Sequence, residues 1–200
     1  MIVHLAGAPG SGKTTIAKQV EKQGWIVYDL DDLNIAFVEG NSLIPLTRTD
    51  PQRVVSMYQQ HINEIVENAR EKGASILFVG INAGLLGSPP GSNIIHLQSD
   101  HNVLLDVDTA LNAKRWIQRD MPEVLDEFIK SLKDDVSTYK KLEQEETKIV
   151  KQYNKWFREI MRDFRPSQRK DDIYRFKKYF VKKGYVPMSP SQFVEWFSLL

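Results

Sequence analysis

Gly7-Ala8-Pro9-Gly10-Ser11-Gly12-Lys13-Thr14 sets two glycines around four residues and follows them at once with a lysine and a hydroxyl. That spacing is the one by which a chain cradles phosphate. Glycine lets the backbone turn tightly and bring its N–H groups up to anionic oxygens. Lys13 adds a positive charge on a flexible stem, and the Thr14 hydroxyl can ligate Mg²⁺. The stretch from Gly7 to Thr15 is therefore the expected binding segment for a nucleoside triphosphate.

Phosphoryl transfer needs more than a cradle. It needs a carboxylate to hold metal or take the acceptor's proton, cations near the moving charge, and exclusion of water. Asp29 and Asp31 stand two apart, so in extended chain they point the same way. One of the two can hold Mg²⁺ through water while the other accepts a hydrogen bond from a substrate hydroxyl; Asp32 reads as a cap of the next helix. Arg115 and Arg119 are four apart on one helical face, where they can close over phosphates. Arg48 and Arg53 can meet an anionic substrate. Gly80, Asn82 and Gly84 follow an apolar run, where glycine permits close approach of substrate to backbone. His4, His61, His96 and His101 have no partner at ligand spacing and read as structural or surface residues.

Elements must hold these groups in place. The apolar run 2–6 predicts a buried parallel strand before the loop, and Ile16, Ala17 and Val20 share one face of a helix over 12–23 stopped by Gly24. A second strand at 25–28 ends in the Asp29–Asp32 cluster, at the strand end where open α/β sheets bind ligands. Residues 33–49 lack a clean period and predict a short helix and a mobile loop. Asp50-Pro51 opens a helix running to Gly73, and 75–79 is a third strand. Strands are expected at 94–97 and 103–107, with Asp108 capping the helix of Arg115 and Arg119. From 122 to 164 the pattern is helical with a wholly polar break at 143–148, and Pro166 closes that section. A further helix at 171–182, an edge strand at 185–188 demoted by Pro187, and a helix from Ser191 complete the chain. The fold expected is a three-layer α/β sandwich of the phosphate-loop kind, with five mainly parallel strands. It forms one domain over residues 1–200 in which 122–183 make a helical lid or insert.

Composition limits the partners. Lys and Arg number 27 against 26 Asp and Glu, so overall charge argues for neither nucleic acid nor membrane. With no cysteine, disulfides, thiolate metal sites and a Cys nucleophile are excluded, and the expected setting is intracellular and cytoplasmic. No run approaches the roughly 20 apolar residues of a membrane span, and the start of the chain lacks the shape of a signal peptide. The last third is locally basic and interleaved with aromatics, a pairing suited to nucleic acid. Those aromatics fall largely at helical core spacing, which reads as a packed helix pair with a solvated basic face.

Three stretches together resemble the P-loop kinases of the adenylate and shikimate kinase type: the loop at Gly7–Thr14, Tyr28-Asp29-Leu30-Asp31, and Leu104-Leu105-Asp106-Val107 leading to Arg115 and Arg119. The Asp-x-Asp is similar to that of shikimate and dephospho-CoA kinases, and Gly80 to Gly84 resembles the glycine-rich segment of shikimate kinase. The resemblance covers residues 1–120. It implies ATP and Mg²⁺ as cofactors, Lys13, Asp31, Arg115 and Arg119 as catalytic residues, and transfer to a hydroxyl of a small molecule. The third strand ends Phe78-Val79-Gly80 without an acidic residue, which leaves the metal to Thr14 with Asp29 or Asp31. A nucleoside monophosphate kinase, a polynucleotide 5′-kinase and a regulatory ATP-binding protein stand as alternatives.

Overall fold

The apolar run 2–6 forms a strand because nearly every side chain in it is removed from water. A computed structural model of the chain describes residues 1–21, 24–80, 95–139 and 146–200. Strand β1 (Ile2–Ala6) leads through the glycine loop into α1 (Lys13–Glu21), and β2 (Ile26–Asp29) follows. Three helices come next, α2 (Leu30–Gly40), α3 (Ile44–Thr49) and α4 (Pro51–Glu71), before β3 (Ile76–Val79) and β4 (His101–Leu105). Helices α5 (Thr109–Tyr139), α6 (Glu146–Asp163) and α7 (Pro166–Lys182), strand β5 (Val186–Met188) and helix α8 (Pro190–Phe197) complete the order.

The five strands pair in the order β2-β3-β1-β4-β5. Every pairing is parallel, so the sheet needs helical crossovers and covers both its faces with them. Alternation along β1 and β3 divides the core. Val3, Leu5, Leu77 and Val79 pack with Ile16 and Val20 of α1 and with Phe193 and Phe197 of α8. Ile2, Ile76 and Phe78 face the other way, onto Tyr58, Ile62, Val66 and Ala69 of α4. This is the expected α/β sandwich, with β5 at its edge.

The chain packs as two units. One takes Met1–Gly7, Ser11–Asp106 and Lys177–Leu200 and contains the whole sheet; the other takes Ala8–Gly10 and Val107–Phe176. The second unit is helical, and Ala8, Ala113 and Ile173 are buried together in it with Trp116 and Phe176 alongside.

Four local expectations are corrected. Where the pattern over 33–49 predicts a short helix and a mobile loop, two helices, α2 and α3, are joined through residues 41–43, with Phe37, Val38, Leu43 and Leu46 packed with Val54, Val55 and Met57 of α4. Asp29, not Asp32, caps α2, its carboxylate accepting the Asp31 N–H at 3.0 Å. Residues 95–97 form no strand: the Gln59 side chain takes up both backbone groups of His96, accepting its N–H at 2.7 Å and donating to its carbonyl at 3.0 Å. Pro166 opens α7 rather than closing the section, since proline's missing N–H costs nothing at a first helical position. Asp50 and Asp108 cap as expected, accepting the Arg53 and Leu111 N–H groups at 3.2 and 2.9 Å.

Candidate active site

Between β1 and α1 the backbone turns through Gly10 at φ +80° and Gly12 at φ +93°, conformations that side chains rarely adopt. Gly7 is glycine for a different reason. A Cβ there would lie 2.6 Å from Ser11 Oγ and 3.2 Å from Leu105 Cβ. The Ser11 hydroxyl is buried, and among the described residues it has no hydrogen-bond partner. Lys13 curls back so that its Nζ donates to the Gly7 carbonyl at 2.6 Å. Thr14 and Thr15 stand exposed in the first turn of α1, whose positive end attracts phosphate. A tight glycine turn, a lysine at its mouth and an orphaned buried hydroxyl together fit a phosphate chain.

The carboxylates lie at the end of the neighbouring strand. Asp29 ends β2 opposite Val79 of β3, and a Cβ on Gly80 would sit 3.6 Å from Asp29 Oδ1. Gly80 itself takes φ +122°, so its glycine is required by the turn that brings β3 alongside the carboxylates. One Asp29 oxygen serves as the helix cap. Asp31, in the first turn of α2, keeps access to solvent, yet loss of hydration first and the Asp29 charge second raise its proton affinity above the usual carboxylate range. Lys13 works against that rise, and Asp32 adds to it. Lys13 is therefore close enough to act on Asp31. Thr14 with Asp29 and Asp31 offers only oxygen donors, the set that suits Mg²⁺. Among the described residues no three His, Cys, Asp or Glu side chains gather as a metal cage.

Tyr58 was not singled out from the sequence. Its hydroxyl, on the core stripe of α4, donates to the Leu30 carbonyl at 3.2 Å. Burial, and then the charges of Asp31 and Asp29, push its ionisation well above the usual tyrosine range. A polar tip in an otherwise apolar helix stripe was the available signal. His4 is buried in β1, as its structural reading requires: Nε2 donates to the Gly80 carbonyl at 3.3 Å, and Nδ1 accepts from Tyr185 Oη at 2.6 Å.

In the helical unit, Arg115 lies against the glycine loop. A Cβ on Gly10 would be 3.1 Å from Arg115 Cβ, and the rest of that side chain is exposed. Arg119, one turn on, pairs through Nε with Asp120 Oδ1 at 2.5 Å; the other Asp120 oxygen accepts from Trp116 Nε1 at 2.6 Å. Arg48 and Arg53 are exposed at the end of α3 and the start of α4. Asn82 and Gly84 lie outside the described residues.

Residues 3–80 match the family described as "ATPase family associated with various cellular activities (AAA)". Residues 3–80, which include the glycine loop, are thus similar to a P-loop NTPase-type domain. The chain is also 30% identical over 82 residues to the UPF0200 protein PAE1629 of Pyrobaculum aerophilum, a match covering 41% of this chain and 47% of that protein. It thus spans about half the length of that relative. The crystal structure of TT1252 from Thermus thermophilus aligns with a TM-score of 0.39 at 20% identity, over 60% of this chain and 72% of that one. No helix among the described residues is long and apolar enough to cross a membrane.

Proposed function

We propose that the protein is an ATP- and Mg²⁺-dependent kinase that transfers the γ-phosphoryl group to a hydroxyl of a small-molecule acceptor. The observation that carries this reading is the placement of two carboxylates at one strand end, Asp29 closing β2 beside Gly80 and Asp31 in the first turn of α2; burial and the Asp29 charge raise the proton affinity of Asp31, with Lys13 opposing. A carboxylate that holds a proton more readily than usual suits general-base catalysis near neutral pH. In this reading Asp31 orients the acceptor hydroxyl and takes its proton. Lys13 turns from the Gly7 carbonyl to the β- and γ-phosphates, and Arg115, with Arg119 once released from Asp120, offsets charge on the moving group. Thr14 with Asp29 or Asp31 would hold Mg²⁺, which would supply positive charge to offset that of the phosphates. The helical section 122–183 serves as the lid that excludes water, and the cysteine-free composition supports a cytoplasmic setting.

ATP consumption against a panel of nucleosides, nucleoside monophosphates, polyols and 5′-hydroxyl oligonucleotides, with Lys13→Ala as blank, tests the reading. An acceptor hydroxyl that stimulates turnover in the wild type alone is the expected result. Stimulation by monophosphates alone would move the reading to a nucleoside monophosphate kinase.

One observation favours a second acceptor class. Residues 148–170 hold eight basic and two acidic residues. Lys151, Lys155, Arg158 and Arg162 recur at spacings of four, three and four, exposed along one face of α6. A single strand presenting a 5′-hydroxyl would find its phosphates matched there. Binding of an oligonucleotide that weakens steeply as salt rises is the mark of that reading; no binding at low salt would exclude it.

A further inference from the structure

Asn112 lies in the first turn of α5. Its side chain is fully buried, and among the described residues neither its Nδ2 nor its Oδ1 has a hydrogen-bond partner. A carboxamide brings two donors and an acceptor oxygen, and burying them unmet is costly enough that an apolar residue would serve packing better. Ala8, Ala113 and Ile173 form the buried apolar cluster of the same unit. What distinguishes the position is its neighbour. A Cβ on Gly10 would lie 3.1 Å from both Asn112 Oδ1 and the Asn112 carbonyl. The orphaned amide therefore abuts the middle of the phosphate loop, at a glycine whose φ of +80° leaves it free to turn.

We infer that Asn112 is a positioning residue for nucleotide binding, whose carboxamide hydrogen-bonds the main chain of Ala8–Gly10 when that loop closes on phosphates. The inference rests on the loop's binding nucleotide, and it adds a residue that acts on phosphate through the loop backbone without touching it. The loop has main-chain groups to offer: the Pro9 carbonyl can accept from Nδ2, and the Gly10 N–H can donate to Oδ1. Satisfying a buried amide only in the loaded state makes loading more favourable by that difference, so the cost of the empty state becomes affinity.

The test is calorimetric titration of MgATP and of inorganic tripolyphosphate into the full chain and its Asn112→Leu and Asn112→Ser variants, with the thermal midpoint of each protein measured without ligand. Asn112→Leu is expected to melt no lower than wild type, because it removes two unmet polar atoms. It is expected to bind both ligands about tenfold more weakly, the worth of one net hydrogen bond. Asn112→Ser, keeping a hydroxyl, should fall between. Unchanged affinity in a folded Asn112→Leu overturns the inference, and so does weakening for MgATP but not tripolyphosphate, which would place the effect on the base. If Asn112→Leu fails to fold, Asn112→Ser decides: weaker binding at a preserved midpoint supports the role, and unchanged binding overturns it. A wild-type protein that binds neither ligand would instead overturn the nucleotide reading, and this role with it.

Discussion

The Lys13 ammonium donates to the Gly7 carbonyl 2.6 Å away, tying the last turn of the glycine loop to its first residue. The bond keeps the loop closed around its own lysine, which must leave that carbonyl to reach a phosphate. Lys13→Ala therefore removes a charge-assisted contact to ligand, worth roughly 10- to 100-fold in affinity. Titration of MgATP into the variant should show that weakening at a nearly unchanged melting point.

Asp31 ties catalysis and stability to pH. Its folded-state proton affinity is raised, so over the window above the usual carboxylate range the folded state holds more proton than the unfolded one. Its contribution to stability is thus fully present at acid pH and lost as pH rises through the raised value. Asp31→Asn should raise the ligand-free melting point at pH 8 and leave it unchanged in strong acid. In the proposed kinase the same substitution should cut transfer by about 100-fold or more, while wild-type transfer climbs with pH through the Asp31 titration and then levels.

Gly10 and Gly12 separate two reasons for glycine. Both take positive φ, but a Cβ at Gly10 meets Arg115 and Asn112 at 3.1 Å whereas one at Gly12 meets nothing within 4 Å. Gly12→Ala should cost about 1–2 kcal/mol for the backbone alone. Gly10→Ala adds overpacking and should reach about 3 kcal/mol or more. Denaturant unfolding of the two variants measures the order.

His4 makes the fold sensitive to acid. Burial lowers its pKa to about 4, with the hydrogen bond to the Gly80 carbonyl opposing. The unfolded chain takes up the proton first, so stability present at neutral pH is lost as pH falls from about 6.5 toward 4, by about 3 kcal/mol in all. Urea unfolding across that range should show a smaller loss in His4→Gln than in wild type.

The phosphate loop was legible because its chemistry is local: glycines at fixed offsets, a lysine and a hydroxyl determine the turn and its ligand by backbone geometry alone. The parallel sheet was legible for a similar reason, since runs such as Ile76 to Val79 are apolar on both faces only when helices cover both. Long-range partners decided the rest. Residues 33–49 became helical through packing on α4, and His96 was kept out of a strand by the Gln59 amide 37 residues away. Asp31 owes its raised proton affinity first to burial, and Asn112, far along the chain, was set against Gly10. Sequence by itself determined that this chain turns a glycine loop from a buried parallel strand into a helix, because those conformations depend on residues next to one another. Only the tertiary structure decided that the Tyr58 hydroxyl meets the Leu30 carbonyl and that the Asn112 amide lies against Gly10, because contact and burial are set by groups far apart in the chain.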